Sequence, residues 1–381
     1  MTAQPYDGPR DAGLRIRFWV LYALSGTVVA ELPMASVQTL TTSLSGGALR
    51  ASVDMNLRLR GKLSPDYRAI NGRMALTTPG KYTIVATDDR RRVLGEWILI
   101  ERERITSDLT MPIAGVQWEA YPQYRTHEAA RKFKSADSIA TLRTLLSEVY
   151  LGANVSLAGA TSGVSIEMDR PSYSGTYADV IREVTDSEPG AEWAIEITGS
   201  WAGDSLTSVT RTARIGTPVL KRATALVFEA GEPMTRQGNA TIRGGDDWTL
   251  YARRVIGIGS GSGSKQLIST ATDSSHSAAG IIDSVRTVSF PDVTKKSVLD
   301  RLTQQALRDG FDMRVPWSVS AEVAKLTKLP QPGDQAQLHH WMSYMYPATG
   351  GPAAIDESVR IGEVSYKIDG PICETVEVKA A

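Results

Sequence analysis

The sequence predicts a β-rich α+β protein with several domains. Its 381 residues, of which 42% are hydrophobic, exceed the roughly 100–200 residues of a typical single domain. Apolar and polar residues alternate with a period of two through most of the chain, as in strands that bury one face. Apolar residues at helical spacing recur in only a few segments, so strands are expected to outnumber helices.

The N-terminal part is predicted to be nearly all strand. Apolar residues alternate from Leu14 to Tyr22, a turn at Ser25-Gly26 follows, and the chain returns as a second strand. Alternation continues from Leu49 to Glu101, with a turn at residues 88–91. The apolar run after Leu14 is shorter than the roughly 20 residues that cross a bilayer, and it starts far from the initiator methionine for a signal peptide. We therefore predict no membrane span.

Three helices are predicted in the rest of the chain. They lie in "SADSIATLRTLLSEVYLG", in "GTYADVIREVTDSEPG" from Thr176 onward, and in "TKKSVLDRLTQQALRDG". In the third, Ser297 and Asp300 stand at capping-box spacing and Gly310 suits the residue after the last turn. The first two, with the strand "EWAIEIT", indicate a small α+β domain over residues 121–199, and strands dominate again from Leu206 onward.

Charge and cysteine content restrict the partners and the compartment. Lys plus Arg equals Asp plus Glu at 42 each, so the net charge is zero and no polyanion or acidic membrane is indicated as the main partner. Cys373 is the single cysteine, which excludes an intramolecular disulfide and suits a reducing cytoplasm. We expect Cys373 to be a core or strand residue.

The stretch "RRVIGIGSGSGSKQLI" places glycine at every second position before a lysine. A phosphate loop needs the lysine directly after the last glycine and a helix behind it, but Ser264 intervenes and both flanks alternate like strands. The stretch therefore predicts a hairpin with a flexible glycine-serine tip. The candidate assembly hairpin tip consists of Gly257, Gly259, Gly261, Gly263 and Lys265.

The histidines do not form a catalytic or metal-binding pattern. They are His127, His276 and the adjacent pair His339-His340, and neighbours in a strand point to opposite faces. His276 lies near serines and Asp273 but lacks the elbow of a nucleophilic serine. We predict no catalytic residue, no metal site and no cofactor.

Carboxylates and tryptophans leave one enzymatic alternative open. Glu101 and Glu103 alternate with arginines, which indicates a solvated or interface face. Trp97, Trp193 and Trp317 lie in alternating strands, which indicates core or subunit contacts. Glycosidases use two carboxylates, and eight tryptophans could stack on sugars, so a secreted carbohydrate-active β-protein remains an alternative.

The order of elements resembles a known family. The stretches that carry the resemblance are "YADVIREVTDSEPGAEWAIEI", "ARRVIGIGSGSGSKQLISTATD", "SVLDRLTQQAL", "LPQPGD" and "VRIGEVSYKIDGP". Together they are similar to the minor tail proteins that form the tail-tip hub of long-tailed bacteriophages, which share a fold with the baseplate hub of contractile tails. The resemblance covers nearly the whole chain.

The resemblance implies an architecture of two β-barrel-like domains with smaller α/β domains. We accordingly expect a first barrel-like domain at 1–119, a small α+β domain at 120–200, a second barrel-like domain at 201–291, and a helix with closing strands at 292–381. No repeat between the two barrel segments is visible in the sequence.

The resemblance also implies an assembly role. It predicts a homotrimer at the distal end of a tail, in the virion, made in the bacterial host cytoplasm. The implied partners are the distal tail protein, other minor tail or spike proteins and the tape-measure protein, and DNA passes without sequence-specific binding. Some hubs carry a C-terminal peptidoglycan-degrading or receptor-binding extension, for which we expect no room after the last strand. A structural alternative is the distal tail protein itself, which forms a hexameric ring.

Overall fold

The structure is a computed structural model, and it describes residues 14–55, 58–59, 62–63, 67–104, 109–159, 161–186, 190–217, 220, 222–230, 238–246, 252–273, 284–291, 293–310, 314–341, 354–369 and 372–380. The described strands are, in chain order, β1 (Leu14–Tyr22), β2 (Val28–Glu31), β3 (Met34–Ser43), β4 (Ala48–Asp54), β5 (Arg58–Leu59), β6 (Lys62–Leu63), β7 (Tyr82–Asp88), β8 (Val93–Arg102), β9 (Thr110–Gln117), β10 (Arg131–Asp137), β11 (Val155–Ala158), β12 (Ser165–Arg170), β13 (Glu192–Ala202), β14 (Ser205–Gly216), β15 (Arg222–Ala230), β16 (Ala240–Asp246), β17 (Arg254–Ile258), β18 (Ile268–Thr272), β19 (Val285–Ser289), β20 (Arg314–Glu322), β21 (Asp334–Trp341), β22 (Ala354–Asp369) and β23 (Ile372–Ala380). The described α-helices are α1 (Tyr67–Leu76), α2 (Ser138–Val149), α3 (Tyr177–Thr185) and α4 (Lys296–Gly310).

Eight strands close into a first barrel. Antiparallel pairing runs from β1 through β7, β8, β9, β4, β3, β22 and β23, and β23 pairs back to β1. Strand β2 adds to the outside of β1. Because the chain of pairings returns to its first strand, this barrel has no sheet edge within the ring.

Six strands close into a second barrel that shares two strands with the first. Pairing runs from β22 to β23, β20, β16, β15 and β21, and β21 pairs back to β22. The contact of β15 with β16 is parallel and limited to Ala230 and Ala240. The β22–β23 hairpin therefore belongs to both barrels, and the two barrels together with β2 make up the 13-stranded sheet.

One continuous apolar core fills the two barrels. Val20 and Ile84 lie in the first barrel, Phe228 and Leu338 in the second, and all are fully buried in the same cluster as Val364 of the shared hairpin. Burial of each large apolar side chain contributes about 1.5–3 kcal/mol. The hairpin contributes apolar residues to both sides, so the barrels are expected to be stable only together.

A middle unit follows the first barrel. Strands β13 and β14 form a long antiparallel hairpin, and β11 adds in parallel to β14. Helices α2 and α3 pack on this sheet through residues such as Leu142, Leu146 and Val180. Helix α2 begins where the Asp137 side chain accepts from the Ala140 amide at 3.0 Å, and α3 begins at Thr176 with a complete capping box.

A small unit precedes the closing strands. Strand β17 lies between β18, which is antiparallel to it, and β19, which is parallel to it. Helix α4 covers one face of this sheet, and Ser269 of β18 donates to Asp300 of α4 at 2.5 Å. Helix α4 begins at Lys296, so Ser297 lies inside the helix and the capping box expected there is wrong.

The predicted β-rich α+β class is confirmed, as are the three predicted helices and the first hairpin. Helix α1 was not expected, because it lies in the stretch predicted to be sheet. Asn71 and Gly72 stand in its middle and disfavour helix, so its helical pattern is weak. The structure also pairs β14 with β13 of the middle unit, so the expected boundary after residue 200 falls inside β13.

Candidate functional site

The glycine-rich stretch forms a hairpin, as the alternation predicted. Strands β17 and β18 pair in register from Arg254 with Thr272 to Ile258 with Ile268. At the end of the strands, the Gly259 amide donates to the Leu267 carbonyl at 2.8 Å. A strand follows the loop where a phosphate loop would need a helix, so the phosphate-loop interpretation does not hold.

The first two glycines allow the hairpin to approach α4. A Cβ atom on Gly257 would lie 2.0 Å from Oγ1 of Thr303, and one on Gly259 would lie 3.1 Å from Cδ2 of Leu299. Both glycines are buried, and Thr303 is fully buried. Gly257 and Gly259 therefore serve close packing between sheet and helix, and they lie in the packed base of the hairpin instead of its exposed tip.

The last two glycines shape the exposed tip. Gly261 and Gly263 have φ angles of +104° and +58°, which favour glycine. A single 3-10 turn at Gly263–Lys265 closes the loop, and the Lys265 amide donates to the Ser262 carbonyl at 3.2 Å. Lys265 is exposed. The five candidate residues thus divide into a buried pair and an exposed tip of Gly261, Gly263 and Lys265.

The face of the small sheet opposite α4 carries a small apolar patch among exposed polar side chains such as Arg254, Thr270 and Thr287. Because Gly257 faces the helix, its neighbour Ile258 points away from it, and Ile258 pairs with Ile268, which is 54% exposed. Val285 on the other side of β17 is 41% exposed. Exposed apolar patches next to a shaped loop are typical of protein-protein contacts.

A buried ion pair joins the first barrel to the middle unit. Arg211 of β14 donates to both carboxylate oxygens of Glu96 of β8, at 2.6 and 2.9 Å, and neither side chain is more than 1% exposed. Thr83 donates to the same carboxylate at 2.6 Å. The remaining Arg211 donor bonds the carbonyls of Ala23 and Ala153, at 2.7 and 2.9 Å. Arg211 therefore connects a barrel turn and a middle-unit turn.

The surroundings of this ion pair are apolar and tightly packed. The Arg211 guanidinium lies 4.6 Å from the centre of the Trp118 ring. Next to it, Leu206 and Val209 of the β13–β14 hairpin pack against Trp19 of β1, and Trp19 meets Trp201 edge-on at 6.3 Å. The hairpin is therefore held against the outside of the barrel by both charge and apolar contact.

Glu96 and Arg211 were not predicted as functional residues, although the sequence carries a signal for both. In β14, Arg211 lies on the same face of the strand as the buried residues Val209 and Ala213. In β8, Glu96 lies on the same face as the buried Leu94. A charged residue in the apolar phase of a strand predicts either a buried pair or a functional site.

The described residues contain no grouping of the histidines and the cysteine that would suit catalysis. His276 lies outside the described residues, and His339 pairs with Asp356 in the β21–β22 ladder. Cys373 is fully buried, as expected, and burial raises the pKa of its thiol to about 12. Within the described ranges, no group of three or more His, Cys, Asp or Glu side chains is arranged to hold a metal ion.

A cleft of about 460 Å³ lies between the first barrel, β13 and residues 328–334. Of its carboxylates, Glu196 pairs with Arg214, and Glu119 accepts from the Ile195 amide at 2.7 Å. Trp97 and Trp193 are buried in the core, as predicted. These contacts do not favour the carbohydrate-active alternative, which needs a carboxylate pair and exposed tryptophans at a cleft.

The described helices include none that is both long enough and apolar enough to span a bilayer.

Two solved structures share this fold over nearly their whole length. The tail protein from Neisseria meningitidis MC58 matches with a TM-score of 0.60 and 11% identity, covering 96% of each chain. The 43 kDa tail protein of prophage MuSo2 from Shewanella oneidensis matches with a TM-score of 0.57 and 11% identity, covering 97% of this chain and 98% of that chain. No protein-family model and no curated protein matches the chain. The resemblance predicted from sequence is confirmed at the level of the fold.

Proposed function

We propose that the chain is a structural protein of a bacteriophage tail, with its place in the virion. The fold shared with two tail proteins along the whole chain supports this role. We propose further that it is the trimeric hub at the distal end of the tail. In that position it would join the six-fold tail tube and distal tail ring to the central three-fold tip and surround the DNA exit channel.

The presence of two closed barrels in one chain is the observation that carries the hub proposal. Three copies around an axis would present six barrels, which suits a six-fold ring above. The remainder of each chain would keep three-fold symmetry toward the tip. Repeated head-to-tail contacts of this kind close into a ring.

The neutral charge balance is compatible with a channel for DNA. Each lysine or arginine that contacts a phosphate strengthens non-specific binding to DNA. With equal numbers of acidic and basic residues, the chain has no overall attraction for the passing polymer. DNA would then move through without sequence-specific contacts.

The exposed hairpin tip and the apolar face beside it are the proposed assembly contact. Ile268 and Val285 supply apolar area and Lys265 supplies a charge at the rim. We take the partner at this contact to be a second copy of the chain; the distal tail protein, another minor tail or spike protein and the tape-measure protein would be bound elsewhere on the trimer.

The oligomeric state tests the hub proposal. We expect the purified full chain to have a light-scattering mass of three times 41.2 kDa. Averaged electron images should show three-fold symmetry with a six-fold-like face. A six-fold particle would favour the distal tail ring instead. A monomer that hydrolyses members of a polysaccharide panel would contradict both tail proposals.

Reversing the charge at Lys265 tests the hairpin contact. Lys265→Glu changes an exposed residue, so the melting temperature should not change, while the trimer dissociation constant should rise about tenfold through the lost charge contact. Lys134→Glu makes the same charge change on the exposed surface of β10 and should leave the mass distribution unaltered. Equal dissociation of the two variants would remove the hairpin tip from the assembly contact. Light scattering over a dilution series measures the trimer dissociation constant of each variant.

A further inference from the structure

His127 lies in a segment that carries the chain from the first barrel into the middle unit. Its side chain is fully buried, and neither ring nitrogen makes a hydrogen bond. The ring meets Tyr177 of α3 edge-on, with 5.2 Å between the ring centres. Burial of a polar ring without partners is costly, so this position is not explained by packing alone.

The backbone around His127 pairs with the segment that leads into α3. We call residues 125–127 the strap. The His127 amide donates to the Gly175 carbonyl at 2.9 Å, and the Tyr173 amide donates to the His127 carbonyl at 2.7 Å. The Tyr177 amide donates to the Arg125 carbonyl at 2.8 Å. These backbone hydrogen bonds thus join two short segments, the strap and residues 173–177, beside the ring.

The charged groups around the ring are mostly cationic or already paired. Glu148 of α2 faces the ring, but it pairs with Arg131 of β10 and accepts from the Tyr177 hydroxyl at 3.0 Å. Arg170 of β12 pairs with Glu183 of α3 at 2.7 Å. Arg125 of the strap lies over the Tyr177 ring, 6.0 Å from its centre. Because Glu148 and Glu183 already pair with arginines, a proton on His127 would add a positive charge that neither ion pair compensates.

These contacts determine the direction in which the pKa of His127 is shifted. Burial lowers the pKa of His127 below its usual 6.5. Among the nearby charges, Glu148 acts in the opposite direction, while Arg131 and Arg170 lower the pKa further. Because the folded-state pKa is lowered, the folded strap has its full stability above pH 6.5. That stability falls as the pH drops below this value toward the folded-state pKa.

We propose that His127 is a pH-sensitive latch, whose protonation releases the strap from the segment before α3. The latch is built into one chain, so it does not depend on the proposed tail role or on the oligomeric state.

Amide hydrogen exchange of the full chain at pH 7.5 and 5.5, corrected for intrinsic exchange, tests the latch. One proton taken up with an unfolded-state pKa of 6.5 predicts weaker protection of the Tyr173 and Tyr177 amides at pH 5.5, by at most about tenfold. His127→Phe keeps an aromatic ring against Tyr177 and needs no proton, so its protection should not depend on pH. His339→Phe serves as the matched control in β21 and should keep the pH dependence.

Two results would overturn the latch. One is pH-independent protection of Tyr173 and Tyr177 in the unchanged chain. The other is the same loss at pH 5.5 in His127→Phe. If His127→Phe fails to fold, NMR titration of the His127 ring in the unchanged chain decides the matter, because a ring that protonates above pH 6.5 with the strap intact contradicts the proposal.

Discussion

Glu96→Ala is expected to lower the free energy of unfolding by about 3–5 kcal/mol, because removal of one member of a buried pair leaves the other charge without compensation. Arg211 would remain at 1% exposure with no carboxylate beside it. Chemical denaturation followed by tryptophan fluorescence measures the loss, since Trp118 packs directly on the Arg211 guanidinium.

The β13–β14 hairpin, which carries Arg211, also supplies a matched control for Glu96→Ala. Glu196 of β13 pairs with Arg214 of β14, but these side chains are 40% and 53% exposed. Exposed pairs contribute about 0–1 kcal/mol, so Glu196→Ala should change the unfolding free energy by less than about 1 kcal/mol. Comparable losses in the two variants would show that burial is not the source of the effect.

A double substitution separates the buried charge from the contacts it makes. In Glu96→Leu with Arg211→Met no buried charge remains, and apolar replacements of buried pairs are often neutral or stabilising. Here the carbonyls of Ala23 and Ala153 lose their common donor, so we expect the stability to recover only in part. The part that is not recovered would measure how much Arg211 stabilises the middle unit on the barrel through these carbonyls.

The sequence predicted strands well and their partners poorly. Alternation shows which face of a strand is buried, but it does not show which strand lies beside it. Strand β1 pairs with β7 and β23, from opposite ends of the chain. The sharing of the β22–β23 hairpin by two barrels likewise depends on contacts between distant segments, which no local pattern encodes.

The hairpin that carries the candidate residues was predicted from the sequence, but the packing of its glycines was not. Strand-like flanks correctly indicated a hairpin at residues 254–272. The glycines at 257 and 259, however, are set by α4, which begins some 40 residues later in the chain. Glycine can be required because a helix packs closely against it or because a loop needs a positive φ angle. The sequence does not distinguish these two roles, whereas the neighbours in the folded structure do.

Gly257→Ala is expected to destabilise the small unit by about 3 kcal/mol or more, the upper end of the cost of overpacking a core. The new Cβ atom would lie 2.0 Å from Oγ1 of Thr303, and that hydroxyl donates to the Leu299 carbonyl inside α4 at 2.7 Å. Strand and helix must separate to relieve the contact. Amide exchange in α4, together with thermal denaturation, measures the loss.

Thr303→Ala should suppress the effect of Gly257→Ala. It removes the clashing hydroxyl, and the two Cβ atoms would then be 3.2 Å apart, a contact that a small shift can relieve. Alone, Thr303→Ala costs about 1 kcal/mol for the lost hydrogen bond and methyl group. The double variant should nevertheless be more stable than Gly257→Ala by at least about 1 kcal/mol, a coupling that only residues in contact show.

Gly263→Ala provides the comparison within the same hairpin. Its Cβ atom would meet nothing within 4 Å, but its φ of +58° remains unfavourable for alanine, at a cost of about 1 kcal/mol. This cost should be unaffected by Thr303→Ala, because the tip does not touch the helix there. If Thr303→Ala rescued Gly263→Ala as well, or failed to rescue Gly257→Ala, the division of the hairpin into a packed base and an exposed tip would be wrong, and the assembly contact proposed for the tip would lose its structural basis.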